Sequence, residues 1–433
     1  MKPIFHFHQI PYLQLSKNKK SVSTNSTQKY QSPNQRAWNR FLKNKPALFG
    51  LGWIILCVVI ALLGYLISPD STPNVNDQMP DIALKNPGFS IQVLKVKKNQ
   101  EYESQNFLTT MIFGKPNPYR MVPINNFEFV GDSIVVEEYA GWDSEFNELI
   151  EGTPRNFHLA DVVFPIESNN VSFQYQEESI HFKTIDGVNQ KTSLVDLEKK
   201  IRKDLMIKKT YLLGTDLYGR DMLSRLLLGV RISLLVGLIA VGISLTIGLL
   251  LGSLAGYFGG RVDDFIMLLI NTVWSIPTLL LVFAIVLAMG RGIGIIFLAV
   301  GLTMWVDVAR IVRGQVMSLK EIQFVEAAQS MGFKTWRIIT RHILPNILGP
   351  VMVIAAANFA MAILIEAGLS YLGFGIKPPT PSWGTMLNEN YGYALSGKPF
   401  LALIPALAIM LMVLAFNLVG NGFRDALDVK SRT

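Results

Sequence analysis

Few side chains in this 433-residue sequence stand where covalent chemistry would need them. The histidines His6, His8, His158, His181 and His342 share no metal-ligand spacing. The single cysteine, Cys57, can form neither an internal disulfide nor a Cys-based zinc cluster. Gly114-Lys115 and Gly397-Lys398 are each followed by proline, so neither opens a loop that could cradle a nucleotide phosphate. The pattern that does stand out is mechanical. Glu326-Ala327-Ala328 is followed by Gly332 and then by His342-Ile343-Leu344-Pro345. Small side chains at 327 and 328 let a short helix seat deeply against another surface. Gly332 ends that helix or turns the chain, and Pro345 suits the start of the next helix. Glu326 and the flanking bases offer polar contacts to a partner. A helix of this kind can pass a rigid-body movement from one body to another.

The elements around this pattern are apolar spans. Half of the residues are hydrophobic and 17% are charged, against about 25% charged in ordinary soluble domains. The mean hydropathy is +0.32. These values exclude a disordered chain and an ordinary soluble enzyme, and they predict a multi-pass, all-α membrane protein. About 20 apolar residues cross the hydrocarbon as a helix. Six runs qualify: 47–67, 232–257, 265–289, 292–306 with an extension through 309, 347–365 with an extension past Glu366, and 400–423. Helices are required because every backbone group must be satisfied within its own segment.

Charge orients the spans. Residues 1–69 carry nine Lys and Arg and no acid before Asp70 at the boundary. The first 45 residues therefore read as a basic cytoplasmic tail rather than a signal peptide or a nucleic-acid arm. Span alternation then puts the 309–346 connection inside, with Arg310, Arg313, Lys320, Lys334, Arg337 and Arg341, and returns the C-terminus to the cytoplasm. The organisation predicted is a tail at 1–45, a first transmembrane helix at 46–69, an extracytoplasmic domain at 70–213 and a five-helix core at 214–433. Residues 71–213 hold 15 basic and 20 acidic side chains. Their short β-rich stretches at 90–98, 127–139, 171–176 and 179–185 are set off by turns at Gly131-Asp132 and Asp186-Gly187. Leu194, Leu197, Ile201 and Leu205 recur at helical spacing. A β-rich, α+β inserted domain is expected, either a spacer or a docking module.

The spaced pattern at 326–345 resembles the EAA loop of permease subunits of ATP-binding cassette importers. Glu326, Ala327, Ala328, Gly332, Leu344 and Pro345 match position by position, and His342 stands where peptide-type permeases often carry histidine. The resemblance extends to Gly214-Thr215-Asp216, Gly219-Arg220-Asp221 and Ser224-Arg225 before the second span. It continues through 366–375 and Trp383-Gly384-Thr385-Met386-Leu387. It is nearest to the second, "C", permease of the dipeptide/oligopeptide/nickel branch, and the long 71–213 segment departs from that branch. The resemblance implies a type I importer permease fold and a coupling site at Glu326, Ala327, Ala328, Gly332 and Pro345. It also implies two separate ATPase subunits that use ATP and Mg, a second homologous permease and an extracytoplasmic solute-binding protein. This chain itself would bind no cofactor, no metal and no nucleic acid, and would have no catalytic residue.

Pathway or gate residues are expected at Pro277, Glu366, Ser370 and Tyr371. Pro277, within the third run, predicts a bend that is either a hinge or a static kink. Glu366 predicts either a pathway-facing acid or a structural pairing. Asp307 lies one turn from Arg310, which predicts an intrahelical ion pair. Asp263 and Asp264 are expected to be solvated or to face a partner, and the glycines at 237, 242, 248, 252 and 256 predict close helix packing. The function expected is ATP-driven import of dipeptides or oligopeptides, with nickel or another small solute as the alternative. An ion-coupled secondary transporter would need ionisable groups at mid-membrane, and none stands there. A sensor or scaffold would not require the 326–345 pattern.

Overall fold

A computed structural model describes residues 33–427 apart from 101, 103–104, 144–147, 167–172, 177–178 and 291. Most of the basic tail lies outside the described residues, with His6 and His8. So do Arg291, Lys430, Arg432 and the first part of the strand expected at 171–176.

Helix α1 (Pro33–Phe41) leads into α2 (Lys45–Ile67), where Asn44 caps the first turn by accepting from the amide of Ala47. The inserted segment then builds a five-stranded antiparallel sheet. It comprises β1 (Phe89–Lys97), β2 (Tyr119–Val130), β3 (Ser133–Glu138), β6 (Pro154–His158) and β10 (Met206–Tyr211), in the order β10-β1-β2-β3-β6. Two smaller sheets pair β4 (Trp142–Asp143) with β5 (Glu148–Leu149) and order β7 (Gln174–Gln176), β8 (Ser179–Lys183) and β9 (Asn189–Ser193). Gly131 turns β2 into β3 with φ +63°, a left-handed value suited to a two-residue hairpin turn. Short helices α3 (Phe107–Phe113), α4 (Leu159–Val163) and α5 (Leu194–Lys200) complete the segment. One face of the sheet packs Leu94, Val122, Ile134 and Val136 against Leu159, Val162, Leu197 and Ile201. Phe89 of the first strand sits opposite Tyr211 of the last. The segment thus enters and leaves at neighbouring positions, which allows a folded body to be inserted between two spans.

The membrane part follows as α6 (Met222–Phe258), α7 (Gly260–Trp274), α8 (Thr278–Met289), α9 (Ile293–Lys320), α10 (Gln323–Ser330), α11 (Thr335–Ile338), α12 (Leu344–Tyr371), α13 (Trp383–Leu395) and α14 (Phe400–Leu427). Among the described residues, five helical stretches are long and apolar enough to cross a bilayer, and a sixth crossing results if the bent pair α7–α8 counts as one. Gly248, Gly252 and Gly256 on α6 face Val308, Val312 and Val316 on α9. A Cβ at Gly252 would lie 2.5 Å from the Ala309 carbonyl oxygen, so only glycine permits this approach. The matching ascent of both numbers shows that α6 and α9 run in the same direction. The α7–α8 pair must therefore carry the chain back across. Tyr257, Gln329 and Lys320 meet at the end of the bundle opposite the insertion.

Three expectations are corrected. The third span is not a kinked helix but two helices meeting at 88°. Pro277 has ψ 124° and stands outside both helices, because it cannot donate the next helical hydrogen bond and disfavours the α conformation at the residue before it. The 309–346 connection is largely helical: α9 continues to Lys320, and helix resumes at Thr335 and runs, through a π-helical turn at Ile339–Ile343, into α12. Gly242 has nothing within 4 Å of a Cβ position, so helix contact does not explain it, whereas Gly237 lies against the Phe359 ring.

Candidate functional site

The short helix α10 holds Glu326, Ala327 and Ala328. Val325 and Ala328 are buried beneath it against Val312, Val316, Ile338 and Ile339, while Glu326 and Ala327 are exposed. Ala328 is small enough to let the helix settle on this floor. The helix ends in a Schellman cap. The amide of Gly332 donates to the Gln329 carbonyl at 2.8 Å, and the amide of Phe333 donates to the Ala328 carbonyl at 3.2 Å. Gly332 takes φ +75° to do so. Phe333 then folds back onto the same apolar floor and stacks near His342 at 6.0 Å. Pro345 occupies the first turn of α12, directly after the π-helical turn. Around this helix Ile322, Phe324, Met331 and Trp336 are all exposed. The arrangement is a knob, fastened to α9, to α11 and to the π-helical turn that leads into α12, with an apolar rim and a polar top.

Two electrostatic expectations differ. Arg310 does not pair with Asp307. Its guanidinium lies 4.2 Å from the Trp274 ring centroid and reaches Asn271 at 3.5 Å. Asp263 is not left to solvent, because Arg313 of α9 binds both of its oxygens at 2.5 Å and ties the start of α7 to α9. A bidentate guanidinium–carboxylate contact is the strongest form of this interaction.

The expected pathway residues do not form one group. Glu366 is fully buried near the end of α12 and accepts a hydrogen bond from Ser370 at 2.7 Å; among the described residues no base pairs with it. Gly375 and Gly384 press against Ser370 so closely that a Cβ on either would collide with it. Tyr371 points outward and meets Tyr391 edge-on at 5.7 Å, and Pro277 is exposed at the α7–α8 break. Phe283 of α8 packs on Phe374, just beyond α12, at 4.4 Å.

A buried ion cluster at the insertion end has no counterpart among the expected sites. Arg220 donates to Asp216 at 2.7 Å and to Glu389 at 2.7 Å, and Arg225 reaches Glu389 at 3.2 Å. Both arginines are almost completely buried. The cluster joins the loop before α6 to α13, and Trp383 reinforces the join by donating to the Leu226 carbonyl at 3.0 Å. Nearby, burial pushes the carboxyl of Asp77 above the usual carboxylate range, with Lys209 opposing the shift. Asp216, Arg220 and Arg225 lie in a legible motif, but their partner Glu389 is far away in sequence. Among the described residues no group of His, Cys, Asp or Glu could hold a metal ion.

The sequence profile described as "Binding-protein-dependent transport system inner membrane component" matches residues 248–433. That described as "N-terminal TM domain of oligopeptide transport permease C" matches 32–87. The dipeptide transport system permease protein DppC of Bacillus subtilis is 44% identical over 219 residues, which is 51% of this chain and 68% of that protein. This chain belongs to the binding-protein-dependent permeases of ATP-binding cassette importers. The oligopeptide permease protein OppC of the same organism is 40% identical over 241 residues, covering 56% of this permease and 77% of that one. OppC of Escherichia coli (strain K12) is 44% identical over 219 residues, covering 51% and 72%. Among solved structures, a chain of the MetNI methionine ABC transporter in an inward-facing conformation aligns with 47% of this permease and 97% of its own length, at 20% identity and a TM-score of 0.39. Neither profile match includes 88–247, which contains the whole five-stranded sheet.

Proposed function

We propose that this permease imports dipeptides or oligopeptides, forming the translocation pathway with a second homologous permease. Two separate ATPase subunits would bind ATP and Mg and dock on the α10 knob, and an extracytoplasmic solute-binding protein would deliver the solute. The chain would then lie in a bacterial inner membrane with both termini and α10 cytoplasmic and the 70–213 domain outside. Its own residues would perform no covalent step and bind no cofactor. The observation that carries this reading is the Schellman-capped α10. It is packed on α9, α11 and the π-helical turn before α12 from below and ringed by exposed Ile322, Phe324, Met331 and Trp336. Exposed apolar groups of this size around a rigid helix call for a partner surface. A push on that helix is carried through α9 and α12, and α12 reaches Glu366 and Ser370 at the far end. The names of the related proteins support a peptide as the solute.

The test is purification from native membranes followed by reconstitution. The permease should copurify with a second permease and with ATPase subunits, and labelled dipeptides and oligopeptides should enter vesicles only with ATP and the binding protein present. Transport by a preparation without any ATPase would overturn the importer reading. Uptake of nickel but not of peptides would overturn the solute assignment and leave the machinery intact.

A further inference from the structure

The inserted domain carries a feature that its fold does not need. Helix α3, Phe-Leu-Thr-Thr-Met-Ile-Phe, has no charged residue, and it leaves Phe107, Leu108, Ile112 and Phe113 exposed by 66, 65, 52 and 65%. A contiguous exposed apolar cluster of this kind marks a contact surface. Its position says what covers it. Arg231 of α6 reaches between α3 and α2 and makes four hydrogen bonds to main-chain carbonyls. They go to Ala61 at 2.6 Å, Leu62 at 3.3 Å, Met111 at 2.8 Å and Ile112 at 2.7 Å. Its guanidinium also sits 4.7 Å from the Tyr65 ring centroid. A cation satisfied in this way can be held at the edge of hydrocarbon.

Ala61 and Leu62 precede the end of α2 at Ile67 by five or six residues, about 8–9 Å along the helix axis. The end of α3 clamped by Arg231 is therefore level with the final turns of a membrane span and not beyond them. The span surfaces beside it are also apolar and exposed, at Leu62 and Leu66 on α2 and Leu235 and Leu238 on α6. An apolar cleft of about 740 Å3 is lined by α3 together with these two helices, with Tyr65 and Arg231 in its wall.

We propose that α3 is immersed in the boundary between lipid headgroups and acyl chains, and that it anchors the inserted domain to the bilayer surface. Lipid covers its outer face and fills the cleft, continuing the lipid-facing surface of α2 and α6. Interfacial helices bind by this combination of apolar burial and polar ends. The inference stands whatever solute the permease carries.

Site-directed spin labelling tests it. Single cysteines replace Leu108 or Phe113, with Val195 on α5, 69% exposed, as the control within the same domain. The buried Cys57 is changed to alanine, or left in place once it is shown to take up no label. The full chain, with the subunits that copurify with it, is reconstituted in phospholipid vesicles. Collision rates are then measured with oxygen, which concentrates in lipid, and with a neutral nickel chelate, which stays in water. The oxygen-to-nickel ratio at Leu108 and Phe113 should exceed that at Val195 several-fold. A ratio equal to that at Val195 would put α3 in water and overturn the proposal. Low collision with both reagents would put it under another protein surface and overturn it equally. The labelled positions are exposed and unpacked, so labelling leaves the folded core untouched.

Discussion

Replacing Gly332 isolates the part of the proposed coupling site that depends on one backbone angle. The residue has φ +75°, and a Cβ built on it would meet nothing within 4 Å. Crowding therefore contributes nothing, and the whole cost of a side chain comes from the left-handed conformation. That cost is about 1–2 kcal/mol for an ordinary L-residue, which lowers the ratio of capped to uncapped helix by roughly 5–30-fold. Losing the cap would release the bonds from Gly332 to Gln329 and from Phe333 to Ala328, and it would free the end of α10 from its floor. Asparagine tolerates this conformation and should preserve the cap. The assay is ATP-dependent solute uptake in vesicles, read beside ATPase activity and the amount of assembled complex. Gly332→Ala should lose several-fold in uptake per ATP hydrolysed, Gly332→Val should lose more, and Gly332→Asn should stay near the parent. Full uptake by Gly332→Val would refute the reasoning. So would equal damage from asparagine and valine, since that would make room at the docked surface, and not the backbone angle, the deciding quantity.

Two further outcomes follow from the insertion end of the molecule. Glu389→Gln removes the carboxylate that Arg220 and Arg225 share inside the protein, and losing one partner of a buried pair costs about 3–5 kcal/mol. The melting temperature of the purified permease should fall clearly, and an unchanged value would show that water reaches both guanidinium groups. His158 accepts the Ala160 amide through Nδ1 at 3.2 Å, and burial holds its pKa below the ordinary histidine value in spite of Asp132. The unfolded chain therefore takes up the proton first. This contribution to stability is complete above the unfolded pKa of about 6.5 and is lost as the pH falls through the lower folded value. Thermal melts between pH 7.5 and 5 should show that slope, and His158→Gln should flatten it; the same slope in the variant would assign the titration elsewhere.

Much of the architecture was legible because the physics behind it is local. Apolar runs long enough to cross a bilayer have little choice but helix. The hairpin around Gly131-Asp132 and the termination of α10 at Gly332 each rest on a glycine with a left-handed backbone, and both were visible in advance. Pro277 shows the limit. The residue announces a bend, but an 88° separation of two helices depends on what packs on either side, including Phe283 on Phe374. Asp307 shows it again. An arginine one turn away is a reasonable partner on an isolated helix, yet Arg310 finds Trp274 and Asn271 on a neighbouring one.

The sequence by itself determined the class of molecule and the approximate position of most of its spans, and it singled out the helix proposed to receive force, since each depends on composition or on residues a few positions apart. Only the tertiary structure decided that Glu389 closes the ion cluster begun at Asp216. It alone decided that Arg231 pins α3 beside α2. These contacts join residues that are distant along the chain or adjacent only once the helices pack, and local pattern carries no information about which surfaces will meet.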